Sequence, residues 1–169
     1  MAFEIRARCF GSDPRTIARL LAGRPTSIEL PWEDEAVLGR ALRLTRDVTV
    51  VVRTSSAEVT EFVPQVAVSS FDERVLHAVR RRRSKAVTTL IFDEPLRIAT
   101  VASTISPRHD LVTRDLVRVA HALDVRVVPW TVNDVRSMVA LIELGVDGFV
   151  TDEPALAQAV FDARTSLAA

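Results

Sequence analysis

Short apolar runs rich in β-branched residues recur along this chain: Phe3–Arg8, Ser27–Leu30, Val48–Arg53, Val66–Phe71, Val87–Phe92, Ile98–Ser103, Val125–Trp130 and Gly148–Thr151. Runs of this length bounded by polar punctuation read as buried strands, and helical patterns separate many of them. That alternation predicts parallel strands joined by crossover helices, an α/β protein with eight strands. Helix boundaries follow from caps as well as from periodicity. Asp13 and Pro14 form an N-cap and N1 pair ahead of Ile17, Leu20 and Leu21, with Gly23 as the stop. Ser70 and Glu73 have capping-box spacing before the stripe Val75, Leu76 and Val79. Thr113 precedes Leu116, Val117 and Ala120, and Asn133 or Asp134 precedes Val135, Met138, Val139 and Ile142, which Gly145 ends. Pro154 opens a last helix, for which Asp152 is the expected cap.

Two joints strain this scheme. Phe92 to Ile98 leaves no room for a helix and Arg53 to Val66 leaves one or two turns, whereas a parallel crossover takes about a dozen residues. The chain has 169 residues, below the roughly 200 at the lower end for an eightfold βα barrel. A barrel built from these strands is therefore a minimal one. No repeat, linker or low-complexity tract divides the chain, so residues 1–169 are expected to form a single domain.

Composition narrows the function classes. With 22 basic and 22 acidic residues the formal net charge is +0, which removes the global bias that nucleic-acid binders carry. The one charge run, Arg80–Arg83 with Lys85, sits at a predicted helix C-terminus, where it offsets the macrodipole. Its other reading is a patch for an anionic membrane surface; no interleaved aromatics suit it to nucleic acid. A single cysteine, Cys9, excludes an internal disulfide and a cysteine-rich metal site. The first ten residues alternate charged and apolar side chains, and no window offers the roughly 18 apolar residues of a membrane span. The expectation is a cytoplasmic protein without a transmembrane segment.

Three stretches in the second half are more specific: VAVSSFDERVL (66–76), ISPRHDLVTRDLVRVAHALDVRVVPWTVNDVRSM (105–138) and LGVDGFVTDEPALAQAV (144–160). The ordered set of Ser69, Ser70 and Phe71, then Trp130, Thr131, Val132 and Asn133, then Gly145, Val146, Asp147, Gly148, Thr151, Asp152 and Pro154 resembles the last half of the glycerophosphodiester phosphodiesterase family. The resemblance implies a TIM barrel and a divalent cation such as magnesium or calcium. It also implies an H-R-G turn and P-E-N-T after the first strand, E-x-D on the second, an inserted hairpin ending in H-D, and E-x-K on the third.

The first half departs from that pattern. Ala7 stands at the histidine position and Arg8 at the arginine, with Pro14, Arg15 and Thr16 as a remnant of P-E-N-T. The second strand keeps Glu29 but has Pro31 for aspartate, and helix-forming sequence starts directly after Trp32, where the hairpin belongs. The third strand has Val51 for glutamate and Arg53 for lysine. Proton transfer on both sides of phosphorus and a hard cation held by carboxylates are what these losses remove. His77 and His121 lie on predicted helices as packing or surface residues; His109, in the loop after Ser106 and Pro107, lies at the rim where barrel sites form.

The resulting expectation is a degenerate (βα)8 barrel without catalytic residues, lacking the hairpin and some crossover helices. Arg8, Glu29, Arg53, Trp130 and His109 form its ligand site, taking a phosphodiester or phospholipid head group. Glu29 is the only metal-ligand position kept, so no bound metal or other cofactor is expected, and nucleic acid is not an expected partner. An active hydrolase with displaced or trans-supplied catalytic residues and a structural interaction module are the alternatives. A homodimer would cover strand surface left bare at the two short joints.

Overall fold

The computed structural model describes residues 3–9, 14–31, 39, 42–43, 48–58, 66–95 and 101–167. Its elements run β1 (Glu4–Arg8), α1 (Pro14–Ala22), β2 (Ser27–Pro31), β3 (Thr49–Arg53), β4 (Ala67–Ser70), α2 (Glu73–Arg82), β5 (Thr88–Phe92), β6 (Thr104–Pro107), α3 (Arg114–Ala122), β7 (Arg126–Val127), α4 (Val135–Leu144), β8 (Gly148–Thr151) and α5 (Pro154–Leu167). Every strand pair is parallel, in the order β7-β6-β5-β4-β3-β2-β1-β8. The two ends of that order meet. Asp147 donates its N–H to the Val127 carbonyl at 2.9 Å, Val150 to Pro129 at 2.8 Å and Val132 to Val150 at 2.9 Å. The eight strands therefore form a nearly closed α/β TIM barrel.

Strand alternation divides the side chains between two compartments. Ile5, Ala7, Ile28, Leu30, Val50, Val52, Val68, Leu90, Ile105, Val127 and Phe149 share one apolar core with helix residues Ile17, Leu20, Leu76, Val79, Val117 and Met138. The opposite parity fills the barrel, and it is far more polar than the usual branched aliphatic packing. Glu4, Arg6, Ser27, Glu29, Ser69, Thr89, Thr104 and Ser106 are all buried.

Several details differ from the sequence expectations. The sixth strand is Thr104–Pro107 rather than Ile98–Ser103, of which residues 98–100 lie outside the described residues. Both segments have strand-like composition, so pairing decides: Thr104, Ile105, Ser106 and Pro107 align with Thr89, Leu90, Ile91 and Phe92. Pro107 is tolerated because it ends the strand, where its carbonyl accepts from Trp130 N–H at 2.9 Å. Ser70 stays in β4 and does not cap α2. Its Oγ accepts from Asp72 N–H, and the Asp72 carboxylate caps the helix through Arg74 N–H.

Thr113 caps α3 through Leu116 N–H, and Asp134 rather than Asn133 caps α4 through Ser137 N–H. On α4 the buried face is Met138 and Leu141, while Val135 is 49% exposed. Gly145 ends α4 with φ 85°, a left-handed conformation that glycine adopts without cost. After α1 that conformation falls on Arg24, φ 52°, rather than on Gly23. A Cβ on Gly23 would lie 2.6 Å from Ala155 N, so this glycine lets α1 reach the start of α5. The Asp13 cap, the stretch after Trp32 where no hairpin is expected, and part of each short joint fall outside the described residues. Among the described residues no helix is long and apolar enough to cross a membrane.

Candidate functional site

The C-terminal ends of the strands bring four of the five expected residues around one cavity. Arg8, Glu29, Arg53 and Trp130 line it with Phe71, Ile91 and Ser106, and its volume is about 30 Å³. That is room for roughly two water molecules. Register explains the grouping: Arg8 pairs with Glu29 across β1 and β2, and Arg53 pairs with Ser69 across β3 and β4.

The Arg8 guanidinium reaches past its register neighbour to the end of β8. Its Nε and Nη2 donate to the two oxygens of Asp152, each at 2.9 Å. Asn133 Nδ2 also donates to Asp152 Oδ2 at 2.8 Å, and Asn133 Oδ1 accepts from Asp152 N–H at 3.0 Å and from the Thr151 hydroxyl at 3.2 Å. Asp152 is thus no helix cap: α5 begins at Pro154, and the carboxylate joins β1, the segment after β7, and the end of β8. The W-T-V-N and T-D stretches are the two sides of the seam that closes the barrel.

Glu29 is 5% exposed and its Oε1 accepts from the Ser69 hydroxyl at 2.5 Å. The Arg53 side chain is half-buried and, among the described residues, makes no hydrogen bond or ion pair, so it faces the cavity with its donors unmet. Trp130 meets the edge of Phe71 at a centroid distance of 5.8 Å and an interplanar angle of 87°. Its indole Nε1 is buried with no hydrogen-bond partner among the described residues. The mouth therefore holds two guanidinium groups, one carboxylate and an unused N–H donor.

His109 does not line this cavity. It opens a short 3-10 turn, His109–Leu111, and donates its backbone N–H to the Trp130 carbonyl at 2.8 Å. The ring's Nδ1 is buried with no hydrogen-bond partner among the described residues. The Asp134 carboxyl is held below the usual range chiefly by the Ser137 backbone and hydroxyl, with His109 adding to the effect. Ala7 and Cys9 are buried in the outer apolar core, and Val51 lies deeper in the barrel, at the wall of a second cavity near the strand N-termini. His121 pairs with Asp147 at 2.9 Å on the opposite end of the barrel.

A hard divalent cation does not fit these residues. Glu29 is the only carboxylate lining the cavity, one of its oxygens is engaged by Ser69, and two arginines share the space. Among the described residues no three His, Cys, Asp or Glu side chains gather as a metal cage. Sequence reasoning overlooked Ser69 as the partner of Glu29 and Phe71 as a wall. Strand alternation carries the signal for both, since each lies an even number of residues from an inward position.

Residues 23–156 match the model of the glycerophosphoryl diester phosphodiesterase family. This chain belongs to that family. Over 58 residues, 34% of this chain and 18% of the relative, it is 40% identical to glycerophosphodiester phosphodiesterase GDPD4 of Arabidopsis thaliana, so it spans a small part of that protein's length. The fold is shared with a glycerophosphodiester phosphodiesterase of Parabacteroides distasonis, at TM-score 0.77 and 14% identity, covering 98% of this chain and 100% of the other. It is shared as well with an Oleispira antarctica phosphodiesterase solved with its product sn-glycerol-3-phosphate, at TM-score 0.76 and 14% identity, covering 94% and 96%. Within the phosphodiesterase family this chain is marked by Ala7, Pro31 and Val51 at positions where the resemblance implies histidine, aspartate and glutamate.

Proposed function

We propose that this family member does not hydrolyse phosphodiesters and instead holds a phosphate-bearing anion, a glycerophosphodiester or phospholipid head group, at the C-terminal mouth of its barrel. The observation that carries the reading is Arg53, a half-buried cation facing the mouth with no acid partner among the described residues, beside the unused indole N–H of Trp130. Guanidinium and indole N–H groups are both donors, and a phosphate oxygen is the acceptor they lack. A related barrel with sn-glycerol-3-phosphate bound supports the same ligand class. Hydrolysis would require a proton acceptor, a proton donor and a cation, and the mouth offers one engaged carboxylate.

The 30 Å³ cavity is smaller than a phosphate group, so binding displaces an aromatic side chain. Phe71, 54% exposed, is the one that yields. The test is a titration of sn-glycerol 3-phosphate and glycerophosphocholine followed by Trp130 fluorescence in a Trp32→Phe background. Replacing Arg53 by alanine removes a charge-assisted contact of about 1.5–3 kcal/mol, which weakens binding roughly tenfold or more. Equal binding by parent and variant overturns the reading. So does magnesium- or calcium-dependent turnover that disappears in Glu29→Ala.

A further inference from the structure

The opposite end of the barrel carries a larger cavity that the phosphodiesterase relationship leaves unused. It measures about 210 Å³ and opens among the first residues of the strands: Glu4 of β1, Ser27 of β2, Thr49 of β3, Ala67 of β4, Thr104 of β6 and Arg126 of β7. This is the N-terminal mouth, a barrel's length from Arg53 and Trp130. Two guanidinium groups and one carboxylate are built into its floor. Glu4 Oε1 accepts from Arg6 Nε at 2.9 Å and from the Ser27 hydroxyl at 2.7 Å, while Oε2 accepts from Arg126 Nη1 at 2.8 Å.

Both oxygens of Glu4 are therefore engaged, and the floor keeps one positive charge in excess. Arg6 is 3% exposed, too deep for bulk water to screen. Arg126 uses Nη2 on the Asp147 carbonyl, and its Nε is buried with no hydrogen-bond partner among the described residues. An uncompensated buried donor on a cation is costly unless an anion meets it. The walls differ from the floor: Phe3, Val51 and Val87 make them apolar, and Val87 is 54% exposed. The basic run Arg80–Arg83 and Lys85 ends α2 and leads into β5 at this same end of the barrel.

We propose that the N-terminal mouth binds a small organic monoanion, with its carboxylate at Arg126 Nε, the donor that Glu4 and the Asp147 carbonyl leave unmet, and its carbon chain against Phe3, Val51 and Val87. The single excess charge selects a carboxylate over a phosphate dianion, and the apolar wall selects a short alkyl chain over a bare inorganic ion. Neither the mouth residues nor the ligand class overlap with the phosphate reading at the other end.

Sodium butyrate is the probe, with inorganic phosphate and chloride as comparisons at constant ionic strength. Binding is read by the 15N–1H signal of Arg126 Nε and by calorimetry. The expected result is a saturable shift of that signal with butyrate, weaker with acetate, and at least tenfold weaker butyrate binding in Arg126→Ala. Arg53→Ala, at the far mouth, leaves butyrate binding unchanged. If Arg126→Ala does not fold, the parent's Arg126 Nε signal alone decides. No saturable shift with butyrate, a stronger response to phosphate, or full binding in Arg126→Ala each overturns the proposal.

Discussion

Glu4 is a carboxylate 9% exposed inside a barrel, kept charged by its neighbours. Burial pushes its carboxyl up, but Arg6, the Ser27 hydroxyl and Arg126 outweigh that and hold it below the usual value of 4.5. A depressed folded pKa stabilises the fold at pH values above the unfolded one. That contribution is complete above about pH 4.5 and is lost as pH falls from there through the folded pKa. Urea midpoints of the parent should therefore drop as pH is lowered through this window. Glu4→Gln leaves two guanidinium groups without their acid, so it should cost about 3–5 kcal/mol at pH 7 and show a flatter acid limb. A midpoint at pH 7 equal to the parent's would mean that water already compensates both arginines. At the far mouth, Phe71→Ala should tighten binding of sn-glycerol 3-phosphate, since it removes the ring that fills the cavity; unchanged affinity would show that the pocket opens some other way.

Among the elements, β8 depends on the absence of one side chain. A Cβ on Gly148 would lie 2.1 Å from the Glu4 carbonyl oxygen, against backbone that cannot yield without breaking the β1–β8 pairing. Gly148→Ala should cost about 3 kcal/mol or more in chemical denaturation. Thr113→Ala, which removes only the α3 cap, should cost about 1 kcal/mol. These two cases also mark what could be read in advance. Local chemistry made Thr113, Gly145 and Pro154 legible as helix ends, because each satisfies its requirement within a few residues. Strand composition revealed eight strands for the same reason, while the choice between Ile98–Ser103 and Thr104–Pro107 depended on pairing with β5, which composition does not encode. At the site, motif spacing found Arg8, Glu29, Arg53 and Trp130, but the partner of Arg8 is Asp152, 144 residues away, and only closure of the barrel brings them together. His109 follows β6 at the same end of the barrel and bonds the Trp130 carbonyl through its backbone, without lining the cavity.

Taken whole, the barrel is a ring of uneven strength. β2 and β3 align five residue pairs, whereas β7 contributes two residues and the seam to β8 is held by three backbone hydrogen bonds, one to Val127 and two beyond β7. Side chains compensate at that point: Asn133 and Asp152 span the seam, and Arg8 anchors the carboxylate to β1. Asn133→Ala should therefore destabilise the fold by about 1 kcal/mol, the net worth of its hydrogen bonds at the seam, read from the urea midpoint, and a change of a few tenths would show that the seam holds without it. A ring with one lightly stitched joint has a preferred place to come apart. In native-state hydrogen exchange the amides of Asp147, Val150 and Val132 should lose protection through a partial opening that leaves those of β2 and β3 intact, so the molecule would unroll into a curved sheet from β7 and β8 before it unfolds.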